Sequence, residues 1–130
     1  LPLLPENPSR RQEKAFYLIA ALFALHPAST TKGNLGAHLA IARSEGNEAA
    51  LERRFTALLS AHPDDLPNYL RQTISLLKSK DVPVNWSELL YNIQSWDHPE
   101  YGDSVRKRWA TAFWGYRSKT EKPPEETDGE

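Results

Sequence analysis

The chain has 130 residues, with 16 lysines and arginines against 17 aspartates and glutamates and four histidines, for a net charge of −1. That length expects one domain, or two small helical halves sharing a core, and a content of 39% hydrophobic and 10% aromatic residues makes the body globular rather than disordered. The lack of cysteine excludes a disulfide framework and thiolate metal sites, no run of eighteen apolar residues offers a membrane span, and no secretion-signal pattern is present.

Residues 1–8, LPLLPENP, read as an extended leader. Ser9 is the expected N-cap of a first helix from Arg10 to about Leu25. Its stretch AFYLIAALFAL is apolar all round, which predicts a buried central rod. His26-Pro27 ends it, since the residue before proline disfavours helical dihedrals. After the loop ASTTKGN, a short helix runs from about Leu35 to Arg43, and Ser44 to Gly46 break it. Asn47 caps a third helix, Glu48 to Ala61, with Leu51, Phe55, Leu58 and Leu59 as its buried stripe.

Pro63 opens a turn, with Asp64 or Asp65 as the next cap. The fourth helix, about Leu66 to Lys78, buries Leu66, Leu70, Ile74 and Leu77, and Pro67 is tolerated in its first turn. The spacing in VPVNWSELLYNIQSW predicts a fifth helix from Trp86 to Trp96, opened by a capping box between Asn85 and Glu88. Trp86, Leu89, Leu90, Ile93 and Trp96 share its buried face. Asp97 to Gly102 form a connector. Asp103 caps a sixth helix to about Tyr116, burying Val105, Trp109, Ala112 and Phe113.

The tail, residues 117–130, holds five acids and three bases and is expected to be disordered, leaving 13 bases against 12 acids in the body. The expected fold is an all-α bundle of about six helices. A helical domain over 9–116 has an N-terminal half at 9–61 and a C-terminal half at 62–116. The chain lacks a start methionine, so it reads as a fragment or processed product with an upstream helix missing.

No catalytic or metal set stands out. His26, His62 and His98 each precede proline at segment ends, a turn pattern, and no H-E-x-x-H or paired E-x-x-H motif exists. Asp97-His98 has no second ligand cluster beside it. Asp64-Asp65 sits at a helix start, where acids suit the dipole, and reads as capping. There is no G-x-S-x-G and no phosphate-binding glycine loop.

The bases carry more. Arg53 lies opposite the apolar stripe of the third helix, and Arg54 lies at its edge. Arg71 and Lys78, seven residues apart, return to nearly one face. Arg106, Lys107 and Arg108 near the start of the sixth helix, like Arg10, Arg11 and Lys14 at the first, oppose the helix dipole. One reading is solubility charge paired with Glu13, Glu52 and Asp103. The other is a phosphate-binding surface, which accounts for paired bases at dipole-unfavourable ends. Trp86 and Trp109 belong to core faces. Trp114 falls off the buried stripe and suits a partner interface.

Taken together, KAFYLIAALFALHP, LGAHLA, ALERRFTALLSAHPDDLPNYLRQTISLL, VPVNWSELLYNIQSW and VRKRWATAFWG resemble the CasB family in order and wording. CasB is the small subunit of Cascade, the type I-E CRISPR surveillance complex. The resemblance spans about residues 12–116. The chain departs from the family in Asn85, where Asp is common, and in Ala37, where Arg is common. An N-terminal helical region of the family also has no counterpart here.

The resemblance implies a cytoplasmic, non-enzymatic helical subunit, present in two copies, with no cofactor, membrane or small-molecule substrate. Its partners are other Cascade subunits, guide RNA, the target strand and the displaced strand of an R-loop. The expected backbone contacts are Arg53, Arg54, Arg71, Lys78, Arg106, Lys107 and Arg108, with Arg43, Arg10 and Arg11 as weaker candidates. Two other readings stand beside it. One is a helical protein–protein adaptor docking through Trp114 and Tyr116. The other is a helical hydrolase built around Asp97 or His98.

Overall fold

The computed structural model describes residues 4–115. Six helices fill it: α1 (Arg10–Leu25), α2 (Leu35–Ala42), α3 (Glu48–Leu59), α4 (Leu66–Ser79), α5 (Trp86–Gln94) and α6 (Tyr101–Gly115). No strand is present among these residues. A single parallel bridge, Ser29 to Val84, joins the α1–α2 loop to the α4–α5 loop. The all-α expectation holds. The leader before Leu4, the helical turn at Tyr116 and the tail at 117–130 lie outside the described residues.

Local chemistry explains most helix ends. The Ser9 hydroxyl accepts from the Gln12 N–H at 3.1 Å while the Gln12 side chain accepts from the Ser9 N–H at 2.9 Å, a complete capping box. Asn34 accepts from the Ala37 N–H at 3.0 Å and starts α2. At the end of α4, Asp81 adopts a left-handed φ of 57°. The Val82 N–H then returns to the Leu77 carbonyl at 2.9 Å, closing a Schellman turn.

Four expectations need correction. The α5 capping box is half formed. Asn85 accepts from the Glu88 N–H at 3.3 Å, but the Glu88 carboxylate instead accepts from the Asn92 amide at 3.1 Å. The Asn85 N–H is taken by His38 Nε2 at 3.0 Å. At α3 and α4, Asn47 and Asp65 occupy the cap positions without side-chain cap bonds. Asn47 accepts from the Ser44 N–H and donates to the Ala42 carbonyl, tying the turn back to α2.

Helix α6 starts at Tyr101, two residues before Asp103, because His98 Nδ1 accepts from the Glu100 and Tyr101 N–H groups at 3.1 Å each. His62 Nδ1 accepts from the Asp64 N–H at 3.0 Å in the same way ahead of α4. Two His-Pro-acid turns thus open two helices. The third pre-proline histidine, His26, is buried at the end of α1 and donates from Nε2 to the Val82 carbonyl at 2.7 Å.

The fourth correction concerns α1, which is not an enclosed rod. It packs on α4 and α5 with Ala15, Ile19 and Leu22 inward. Tyr17 is 62% exposed, and Ala21 and Ala24 face solvent. Alanine costs little to expose, and a tyrosine phenol is content in water. The centre lies elsewhere. The Trp96 and Trp109 rings sit 5.1 Å apart, and Phe55 meets Phe113 at 4.5 Å. Helix α4 touches α1, α2 and α3. Gly36 lets α2 cross α6 closely, since a Cβ there would collide with the Trp109 carbonyl.

Candidate nucleic-acid interface

Helix α3 places its charges by spacing. At about 100° per residue, Leu51, Phe55 and Leu58 turn inward. Glu48 and Glu52 fall on one flank, Arg54 falls on the other, and Arg53 points outward. The acidic flank faces α6, where Glu52 accepts from the Trp114 indole N–H at 2.6 Å. The basic flank faces α4. Between them, Arg53, Arg54, Tyr69, Gln72 and Leu76 rim a groove of about 200 Å³ over Leu39 and Phe55.

Helix α4 contains no acidic residue. Tyr69, Gln72 and Leu76 line the α3 side. Pro67, four and eleven residues before Arg71 and Lys78, marks the other flank, because it lines a second groove with Arg10, Arg11 and Lys14 of α1. Arg71 and Lys78 therefore stand on the flank away from Arg53 and Arg54. Between the two pairs runs the exposed back of α4, made of Asn68, Gln72, Ser75 and Ser79. Among the described residues, Arg53, Arg54, Arg71 and Lys78 make no ion pair.

The second groove, about 270 Å³, is apolar within, with Leu18, Leu66 and Trp96, and cationic at its rim. Arg11 pairs there with Asp97 at 3.6 Å. Arg10 and Arg11 remain in the first turn of α1, as expected. The α6 bases do not sit in a first turn. With the helix starting at Tyr101, Arg106 to Arg108 lie in its second turn, where the dipole has faded.

Arg106 is turned inward. Its Nε donates to the Leu59 carbonyl at 3.2 Å and one terminal nitrogen donates to the Trp96 carbonyl at 3.0 Å. The guanidinium lies 4.2 Å from the Trp96 ring centroid. It clamps α3, α6 and the turn after α5. Arg43 likewise donates to the Phe113 carbonyl at 3.3 Å and lies over the Phe113 ring. Arg108 donates to the Ser104 hydroxyl at 2.7 Å, and Lys107 is exposed.

No group of three or more potential metal-ligating side chains occurs among the described residues. His38 is buried, and burial pushes its pKa down to about 4, so its ring is neutral and free to accept from Asn85. His98 stacks on Tyr101 at 4.3 Å with its Nδ1 engaged in capping. Asp97 is occupied by Arg11. Trp114 is 44% exposed and rests against Phe55. No helix of the described residues is long and apolar enough to cross a membrane.

Sequence reasoning missed the groove itself. Tyr69 and Gln72 carried no signal of their own, and only the packing of α3 on α4 brings them beside Arg53 and Arg54.

Known proteins share this fold. The family model described as CRISPR-associated protein Cse2 matches residues 2–114. A CRISPR-associated protein Cse2 of Thermus thermophilus is 31% identical over 128 residues, covering 98% of this chain and 72% of its own length. The crystal structure of CasB from Thermus thermophilus aligns with a TM-score of 0.72 at 31% identity, over 85% of this chain and 66% of that one. The crystal structure of M. ruber CasB aligns with a TM-score of 0.71 at 31% identity, over 85% and 67%. The chain thus spans about two thirds of the length of these solved relatives. It belongs to the Cse2 family of CRISPR-associated proteins, whose solved members include the CasB proteins.

Proposed function

We propose that the protein is a non-catalytic subunit of a type I-E RNA-guided CRISPR complex that grips nucleic-acid backbone and holds an R-loop open. Its partners would be the other complex subunits, the guide RNA, the target strand and the displaced strand, with two copies per complex. One observation carries this reading. An acid-free helix back, α4, is flanked on both sides by bases that have no carboxylate partner among the described residues.

A polar, unpaired cationic surface of this kind neutralises phosphates without reading bases. Sequence reading in such a complex belongs to guide pairing. Opening the duplex is nearly balanced in energy, so a few phosphate contacts tip it. The outward residues Arg53, Arg54, Arg71 and Lys78 form the main set. Arg10, Lys107 and Arg108 extend the positive field, and Arg106 and Arg43 hold the bundle behind it.

The test is a salt titration of single-strand binding. Each lost contact lowers the slope of log affinity against log salt by about 0.7 on a single strand. Changing Arg53, Arg54, Arg71 and Lys78 to Ala should flatten the slope while circular dichroism stays helical. An unchanged slope would overturn the reading. A second reading rests on Trp114. Its 44% exposure at the end of α6 favours a protein partner docking there. Binding of that partner would resist moderate salt.

A further inference from the structure

The groove between α3 and α4 has a composition that phosphate binding alone does not require. Two guanidinium groups, Arg53 and Arg54, stand at its mouth. Below them the lining turns apolar and aromatic, with Phe55 and Leu76 within and Tyr69 along one wall. The Tyr69 phenol and the Gln72 amide make no hydrogen bond among the described residues, although both groups line the groove. The hydroxyl of Thr73, by contrast, is already spent on the Tyr69 carbonyl at 2.9 Å.

We propose that this groove receives one unstacked nucleobase of a single strand, with Arg53 and Arg54 holding the phosphates on either side of it. The inference rests on the backbone-binding reading above and names the state of the nucleic acid it acts on. A base has a flat apolar face and a polar edge. Tyr69 and Leu76 supply the surface for the face above the buried Phe55, and the Gln72 amide and Tyr69 hydroxyl supply donors and acceptors for the edge. The volume of about 200 Å³ falls below that of a site for a drug-sized ligand and suits a single planar ring system.

The amide offers a donor and an acceptor together, so it accommodates any base rather than selecting one. A paired base inside a duplex cannot enter. The groove therefore favours strands that are already open, which is the form the displaced strand takes.

The experiment measures affinity of the whole chain for three probes of about a dozen nucleotides: a thymidine strand, a strand of abasic sugar–phosphate, and a duplex. The thymidine strand should bind about five- to tenfold more tightly than the abasic one. Tyr69→Leu should lower affinity for thymidine by a similar factor, leave the abasic strand and the duplex unaffected, and leave the salt slope unchanged. The Arg53→Ala, Arg54→Ala variant should instead lower the slope by about 1.4 on both single strands.

The abasic comparison needs no altered protein, so it stands even if Tyr69→Leu unfolds. Equal binding of thymidine and abasic strands, with the arginine variant still flattening the slope, would remove the base site and leave the backbone surface. An arginine variant that binds every probe as the unaltered chain does would remove both.

Discussion

The indole N–H of Trp109 donates to the Asn92 amide oxygen at 2.9 Å, and both residues are completely buried. Asn92 in turn donates to Glu88 at 3.1 Å. A buried polar pair is favourable only while each member is satisfied. Asn92→Leu keeps the branched heavy-atom shape but strands the indole N–H in the core. We expect a loss of about 1–3 kcal/mol in denaturant unfolding. A Trp109→Phe, Asn92→Leu pair should recover part of it. A double variant as unstable as the sum of the two single changes would show that the bond contributes nothing.

Gly36 is a point of backbone contact. A methyl there would fall onto the Trp109 carbonyl of α6, and backbone cannot swing aside. Gly36→Ala should therefore cost about 3 kcal/mol or more. Gly46 provides the contrast. Its φ of 96° strains any side chain, yet open space surrounds it. Gly46→Ala should cost only about 1 kcal/mol. Thermal melts of the two variants should differ widely.

Stability should fall on mild acidification. The unfolded chain protonates His38 near its ordinary 6.5, whereas the folded chain resists until about 4. Between these values the unfolded state binds more protons, so lowering pH favours it. The contribution is fully present above 6.5 and lost progressively toward 4, by about 3 kcal/mol in all. Protonation would also set an imidazole N–H against the Asn85 N–H. His38→Gln should flatten the pH profile of unfolding over that range. A profile as steep as that of the unaltered chain would assign the effect to another group.

Arg106 and Arg53 should fail in opposite assays. Arg106→Ala removes two charged hydrogen bonds and the cover over Trp96, at a cost of about 1.5–3 kcal/mol, with the salt slope of strand binding intact. Arg53→Ala should leave stability within about 0.5 kcal/mol and flatten the slope. Equal effects of the two changes in both assays would refute the division between inward and outward bases.

All six helices were legible in the sequence: apolar residues recur on one face of α3 to α6, while α1 and α2 read as apolar runs bounded by His26-Pro27 and by Ser44 to Gly46. Ser9 and Asn85 marked true helix starts through their own side chains, and Asn34, read only as loop, caps α2 in the same way. The α6 start was missed because the capping atom belongs to His98, a residue type not read as a cap. The exposure of α1 was missed because alanine looks alike inside and outside.

The bases were legible as residues but not as a surface. Which flank of α4 meets α3 and which meets α1 depends on packing, and that arrangement splits Arg71 and Lys78 from Arg53 and Arg54. Nor did spacing tell Arg106 from Lys107, though one reaches back to two carbonyls and the other faces water.

The four indoles divide unevenly. Trp86, Trp96 and Trp109 are at most 3% exposed, and Trp114 is 44% exposed beside Glu52, whose neighbour is Arg53. The protein thus contains its own optical probe. An aqueous quencher should dim Trp114 and leave the other three emitting. A strand or subunit settling over the outer side of α3 should shield that one lamp, so occupancy can be followed without attaching a dye.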